Sequence, residues 1–216
     1  MADPTAETKH DDSSPTLPKG KRLNVRDDLA HLEPEAIKDL YAASIADEVQ
    51  VICLNLSGDI NIGSIMRSAS LFGVGKVHLL GRRRYDKRGA VGQHAYVPTE
   101  FHTAMVGAHS ETLDVPAAVA MLEVISKDHP LVVIEQCEDA KPLATLETSL
   151  ASHSSTKAPI FLVGNEGSGI DPDLLTLLLK WPHVLPIFIP QRGVGRSHNV
   201  SNALSMVLWE YYRSRT

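Results

Sequence analysis

Six polar residues in three short stretches hold the side chains that could do chemistry. Asn61 and Arg67 stand in NIGSIMRSASLFG, Glu166 in LVGNEGSG, and Ser197, His198 and Asn199 together in IPQRGVGRSHNVS. Arginine carries a planar, permanently charged fork that can clamp a phosphate or a carboxylate. His198 could act as a base, and Glu166 would stand at the end of a buried strand. Ser197 and Asn199 open a helix, where free backbone N–H groups and the helix dipole favour a bound ligand. Each stretch also has a plainer reading. Arg67 can lie over apolar neighbours with its head in water. The glycine loop can be an ordinary strand-to-helix turn, and Ser197 and Asn199 are both good helix caps.

The elements around these stretches alternate. Residues 34–46 have helical spacing at Ile37, Leu40, Tyr41 and Ile45, with Pro34 suited to a first turn. Residues 49–56 read as a strand and 61–73 as a helix, with apolar positions Ile62, Ile65, Ala69 and Phe72. Strands are expected at 76–81, 131–136, 158–165 and 184–190, and a short one at 95–101 that Pro98 weakens. Helices are expected at 115–127, at 171–179 with Asp171 as N-cap and Pro172 behind it, and at 199–212. Strand and helix alternate, and several strands lack polar alternation. Both features predict an α/β fold with a mostly parallel sheet flanked by helices. Each of the three stretches then follows a strand's C-terminal end, where ligands of α/β proteins bind. Ser57, Gly58 and Asp59 make the first turn. In the second, Gly164 permits close approach to the backbone, while Gly167 and Gly169 supply unusual dihedrals.

Composition narrows the function. The chain has 216 residues, 43% hydrophobic and 22% charged, with a formal net charge of −5. That balance argues against a protein that coats nucleic acid non-specifically. It leaves room for a local basic patch, and Arg82, Arg83, Arg84, Lys87 and Arg88 form one around Asp86. No apolar run approaches the ~20 residues that span a membrane. The polar N-terminus resembles no secretory or transit signal. Cys53 and Cys137 read as buried free thiols of a reducing, cytoplasmic compartment. None of the ten histidines has metal-site spacing, so no metal is expected. Phosphate-loop patterns fail: ahead of Gly75 and Lys76 the required glycine position holds Ser70, and Val77 follows. The dinucleotide fingerprint is absent too.

Taken in order, the three stretches resemble the motifs of the SPOUT superfamily of RNA methyltransferases, specifically the TrmH-like (SpoU) ribose 2′-O-methyltransferases. The first matches N-x-G-x-x-x-R-x-A-x-x-F-G from Asn61 to Gly73. The second matches G-N-E-G-x-G from Gly164 to Gly169. The third matches from Ile189 to Ser201, with His198 where leucine is usual. The resemblance covers roughly residues 48–213. It implies a C-terminal deep trefoil knot and S-adenosyl-L-methionine as cofactor, held by Leu162, Val163, Gly164, Asn165, Glu166, Gly167, Ile189, Pro190, Gly193, Ser197, His198 and Asn199. It implies catalytic roles for Arg67, Asn61, Glu166, Ser197 and Asn199, and a homodimer whose active site forms near the subunit interface. It raises the weight of Arg82, Arg83, Arg84, Lys87 and Arg88 as RNA-backbone contacts.

The expected organisation is a disordered polar tail over 1–20, a helical extension over 21–47, and the methyltransferase domain over 48–216. With little room for a separate N-terminal RNA-binding domain, tRNA is the favoured substrate. Ribosomal RNA methylation, and an inactive RNA-binding or assembly factor on the same fold, are the alternatives.

Overall fold

Val51 and Cys53 face one side of the first strand and Ile52 and Leu54 the other, and all four are buried. A strand dry on both faces needs helices above and below it. The computed structural model supplies both layers. It describes residues 24–45, 49–55, 60–105, 112–153, 155, 157–213 and 215. The tail 1–20 and the turn Ser57, Gly58 and Asp59 lie outside the described residues.

In chain order the elements are α1 (Pro34–Ser44), β1 (Gln50–Asn55), α2 (Ile60–Leu71), β2 (Lys76–Gly81), β3 (Thr99–His102), α3 (Val115–Ser126), β4 (Leu131–Ile134), β5 (Lys141–Pro142), α4 (Leu146–Ala151), β6 (Ile160–Val163), α5 (Pro172–Leu178), β7 (Val184–Phe188) and α6 (Val200–Arg213). The strands form one sheet in the order β3-β2-β1-β6-β4-β7-β5, with every pairing parallel. From β1 the chain first works outward through β2 to β3. It then crosses to the other side, so the direction of winding switches between β1 and β6. Open α/β sheets bind ligands beside such a switch, at the strands' C-terminal ends.

Two apolar layers sandwich the sheet. Ile65 and Met66 of α2, Leu146 of α4 and Leu204, Val207 and Leu208 of α6 pack with Val51, Cys53 and Phe161. Leu122 of α3 and Leu174 and Leu178 of α5 pack with Ile52, Leu54 and Leu162 on the opposite face. Helix α1 joins the first layer through Tyr41, whose hydroxyl donates to the Val74 carbonyl at 2.9 Å and the Ala69 carbonyl at 3.2 Å. No helix of the described residues is long and apolar enough to cross a membrane.

Several boundaries shift for identifiable reasons. The strand expected at 95–101 begins only at Thr99, after Pro98, and Gln93–Ala95 is a 3₁₀ turn instead. Proline has no N–H for the ladder, but its carbonyl still accepts from Val77 at 2.9 Å. Helix α2 stops at Leu71 because Gly73 turns the chain with φ +66°. Strand β4 ends at Ile134, so Cys137 lies beyond it and is half-buried, whereas Cys53 is buried as expected; neither forms a disulfide. Strand β5 and helix α4 carry no periodic signal, being two and six residues long.

Candidate active site

The β6–α5 loop is folded back on itself. Asn165 and Gly169 exchange backbone N–H···O=C bonds of 2.9 and 2.8 Å. The turn is so tight that a Cβ on Gly164 would stand 2.4 Å from the carbonyl carbon of Gly169. Gly169 has φ +68°, which side chains disfavour. Gly167 does not share that conformation, contrary to expectation, and a Cβ there would meet only the Asn165 amide nitrogen, at 3.7 Å.

Glu135, just past β4, fastens this loop. Its carboxylate accepts the Gln136 N–H at 3.0 Å and the Ile170 N–H at 3.2 Å. A Cβ on Gly169 would come within 2.8 Å of the same carboxylate. The backbone of Glu135 in turn donates to Ile187 on β7 at 3.1 Å. One residue therefore ties the ends of β4 and β7 to the loop after β6.

Asn199 joins all three sequence stretches. Its side-chain amide donates to Asn61 Oδ1 at 2.7 Å and to Glu166 Oε1 at 3.2 Å. Its Oδ1 accepts from the N–H groups of Ser201 and Asn202, at 3.0 and 3.3 Å, and so caps α6. Glu166 Oε2 accepts the Val200 N–H at 2.8 Å, placing a negative charge on the positive end of α6. Capping and site-building are here one arrangement. Ser197, also a candidate cap, makes no capping bond among the described residues.

A cleft of about 810 Å³ opens over the C-terminal ends of β6, β4 and β7. Of the residues expected to hold a cofactor, Val163, Gly164, Asn165, Glu166, Gly167, Ile189, Ser197 and His198 line it. Leu162 is instead fully buried within β6, while Pro190 and Gly193 are exposed and do not line the cleft. Asn199 and Asn61 sit at its rim through the bonds already given. His198 turns its Nε2 into the protein, where that atom is buried and has no hydrogen-bond partner. Glu135, Gln136, Gln191 and Arg196 also line the cleft. Glu135 was legible in principle, since it ends an apolar strand as Glu166 does, and Arg196 directly precedes Ser197.

Arg67 is not brought to the cleft of its own chain. Six helical residues advance it about 9 Å along α2 from Asn61 and turn it roughly 120° away. Its side chain is exposed, with no hydrogen bond or ion pair among the described residues. Large apolar side chains on α2 and α6 are exposed too: Leu71 is 71% exposed on α2 and Trp209 61% exposed on α6. These helices are joined by Ser68 Oγ and Ser205 Oγ at 2.8 Å and by stacked Phe72 and Tyr212 rings at 6.0 Å.

The pattern of motifs and fold has a match. Residues 48–209 fit the SpoU rRNA methylase family. The chain belongs to that family, which is one of RNA methyltransferases. No curated protein is detectably similar in sequence. Solved structures share the fold at low identity. The TrmH/SpoU tRNA modifying enzyme of A. aeolicus is 20% identical with a TM-score of 0.61, over 84% of this chain and 83% of that one. An AdoMet-bound rRNA methyltransferase from Sinorhizobium meliloti is 18% identical with a TM-score of 0.56, over 78% of this chain and 57% of that one. The SpoU methyltransferase AviRb from Streptomyces viridochromogenes, in complex with AdoMet, is 24% identical with a TM-score of 0.53, over 78% of this chain and 61% of that one.

In this SpoU chain the basic loop is built onto the first motif. A Cβ on Gly63 of α2 would lie 2.6 Å from the Asp86 carbonyl, and one on Gly89 would lie 2.8 Å from the Ile60 carbonyl. The two glycines let α2 and the 3₁₀ turn Lys87–Ala90 touch backbone to backbone. Asn55 anchors the loop's start, its amide donating to the carbonyls of Arg82 at 2.5 Å and Arg84 at 3.3 Å. The five cations are not equivalent. Arg88 is paired with Asp86 at 2.5 Å, and the guanidinium of Arg83 lies 5.0 Å from the centre of the Phe101 ring. Arg84 and Lys87 are exposed and have no side-chain partner among the described residues.

Proposed function

We propose that this protein transfers a methyl group from S-adenosyl-L-methionine to a ribose 2′-hydroxyl of RNA, with tRNA the favoured substrate, and works as a cytoplasmic homodimer. The observation that carries the proposal is the Glu166–Asn199–Asn61 relay. It ties the three family motifs into one rim around a cleft.

The cleft suits the cofactor. Its volume of about 810 Å³ falls within the ~300–1,000 Å³ of small-molecule sites. Its wall carries Glu135 and Glu166, which complement a sulfonium and an ammonium, and Arg196, which complements a carboxylate. The unpartnered Nε2 of His198 is a polar atom that a ligand or water could satisfy. When bound, S-adenosyl-L-methionine supplies a methyl group already activated on sulfur.

The chain must then align the hydroxyl and manage its proton. Arg67 is permanently charged, which makes it a costly general base. It is assigned to gripping the phosphate beside the target ribose and polarising the hydroxyl. Glu166 already accepts two N–H groups, so its first task is to hold α6 and the loop in register. Ser197, exposed on the cleft wall, is the nearer candidate to pass a proton to water.

Arg67 points away from its own cleft, so a second copy must bring it to a cleft. Exposed Leu71 on α2 and Met206 and Trp209 on α6 are apolar side chains such a dimer would cover. A C-terminal knot belongs to this reading as what the family resemblance implies. The preference for tRNA rests on the likeness across most of the A. aeolicus tRNA modifying enzyme.

Calorimetry with S-adenosyl-L-methionine tests the cofactor assignment. Saturable binding is expected, weakened strongly in Glu135→Ala, which frees the loop lining the cleft. Absence of binding by the wild-type dimer would leave an RNA-binding scaffold as the better reading.

A further inference from the structure

A second polar cluster lies away from the cleft, on the face of the sheet that α3 and α5 cover. His78 extends from β2, and Glu100 and His102 from the adjacent edge strand β3. Both rings are buried, at 3% and 8% exposure, while the Glu100 side chain is 51% exposed. His78 Nδ1 and His102 Nε2 are 3.1 Å apart. Glu100 Oε2 stands 3.6 Å from His78 Nδ1, and Oε1 stands 4.0 Å from His102 Nε2.

We propose that His78, Glu100 and His102 form a binding site for a divalent transition-metal ion, with Zn²⁺ the best match. The donor set is two imidazoles and one carboxylate, which suits zinc and excludes the harder magnesium and calcium ions. One ligand atom from each residue falls within a sphere of contacts no longer than 4.8 Å. Two nitrogens bound tetrahedrally at ~2.0–2.1 Å from zinc stand about 3.3 Å apart, close to the ring separation already present. One carboxylate oxygen, now no closer than 4.0 Å to His102 Nε2, must swing inward by more than half an ångström, which the exposed Glu100 side chain is free to do. Because Glu100 is open to solvent, water can reach the remaining position.

The surroundings favour ligation. His78 Nε2 meets Gln50 Oε1 at 2.8 Å. That partner holds the proton on Nε2 and leaves the Nδ1 lone pair facing the cluster, the usual arrangement of a ligating histidine. Burial drives the pKa of His78 down to about 4 and lowers that of His102, so both rings are neutral at neutral pH. With His78 Nδ1 the acceptor, His102 Nε2 donates the 3.1 Å bond, and ligation moves that proton to His102 Nδ1. Lys76 Nζ lies 3.3 Å from Glu100 Oε2 and holds a cation's place on the carboxylate. Its side chain is 45% exposed and is free to turn into solvent. Chain spacing conceals the site because the two histidines lie 24 residues apart and meet only through the β2–β3 pairing. A bound ion would clamp the two strands between which the basic loop is strung.

The test uses the full chain, stripped with a chelator and dialysed into metal-free buffer. Zn²⁺ is titrated against a chromophoric chelator, and Co²⁺ is titrated with visible absorption as readout. One ion per chain is expected, with the ligand-field bands of four-coordinate Co²⁺ and a Zn²⁺-dependent rise in melting temperature. Glu100→Gln and His102→Gln should abolish both signals. Gln50→Ala should weaken binding by roughly 10–100-fold, as loss of an outer-shell partner does. Lys76→Gln should tighten it. Glu100 and Lys76 are surface side chains, so those variants remain informative if His102→Gln fails to fold. No binding at micromolar Zn²⁺, or binding unchanged in Glu100→Gln, overturns the proposal. A plain hydrogen-bonded histidine pair is then the correct description.

Discussion

The side-chain amide of Asn199 donates to Asn61 Oδ1 at 2.7 Å, joining the start of α6 to the start of α2 across 138 positions of sequence. The same side chain caps its own helix and touches Glu166. Replacing it therefore removes a cap and a tertiary clasp together. Asn199→Ala should cost about 1–2 kcal/mol from the cap alone, with more from the exposed partners. For a chain of this size that lowers the melting temperature by roughly 2–4 °C per kcal/mol. Asn199→Ser keeps a capping oxygen and should recover part of the stability, without restoring the bond to Asn61. Thermal melts of the two variants separate the contributions.

Much of the fold is legible in the sequence, for a physical reason. Dry strands such as residues 160–163 have no polar alternation, and helix starts such as Asp171-Pro172 carry chemical punctuation. The same logic places the three stretches at strand ends. What could not be read were relationships fixed only by packing. Nothing local says that Glu135 would fasten the β6–α5 loop, or that Gly63 serves contact with Gly89 rather than a ligand. Helical spacing separates Arg67 from Asn61, but that Arg67 stays outside the cleft depends also on which side of α2 the sheet covers.

The glycines of the second motif should respond very differently to a methyl group. Gly164→Ala drives a Cβ to 2.4 Å from backbone that cannot step aside, so the loop must reopen. The loss should exceed the ~1–3 kcal/mol of ordinary overpacking and take cofactor binding with it. Gly167→Ala has open space and should stay within about 0.5 kcal/mol of wild type. Chemical denaturation of both proteins checks the contrast. Equal behaviour would mean that the loop is not closed as described.

Gly63→Ala should act at a distance. Its Cβ would press on the Asp86 carbonyl at 2.6 Å and push the basic loop off α2. RNA affinity should fall, together with the steepness of its salt dependence, because fewer phosphates are neutralised. Filter binding across a salt series measures both. Double replacement of the unpaired cations, Arg84→Ala and Lys87→Ala, should reproduce the salt effect without loss of stability.

Stability should decline in mild acid. His183 stacks on Trp181 with 5.4 Å between ring centres and lies 3.1 Å from Ser126 Oγ. Burial lowers its pKa below the ordinary 6.5, and the same is true of His94. A depressed folded-state pKa favours the neutral ring, so the contribution is complete above pH 6.5. It is lost as pH falls through the window below that value. Urea unfolding at several pH values should show this slope, and His183→Gln should reduce it.

Arg67→Ala should abolish methyl transfer yet leave cofactor affinity nearly intact, because Arg67 is assigned to the RNA phosphate and not to the cofactor. Calorimetry beside a transfer assay reads the two properties apart. Equal loss of both would return Arg67 to a structural role.

The most direct measurement gives the wild-type protein methyl-labelled S-adenosyl-L-methionine and total RNA, then digests the RNA and identifies the labelled nucleoside. Label in a 2′-O-methylated nucleoside, carried by tRNA, is the expected result. Label on a base, or none in any RNA, would contradict ribose methylation.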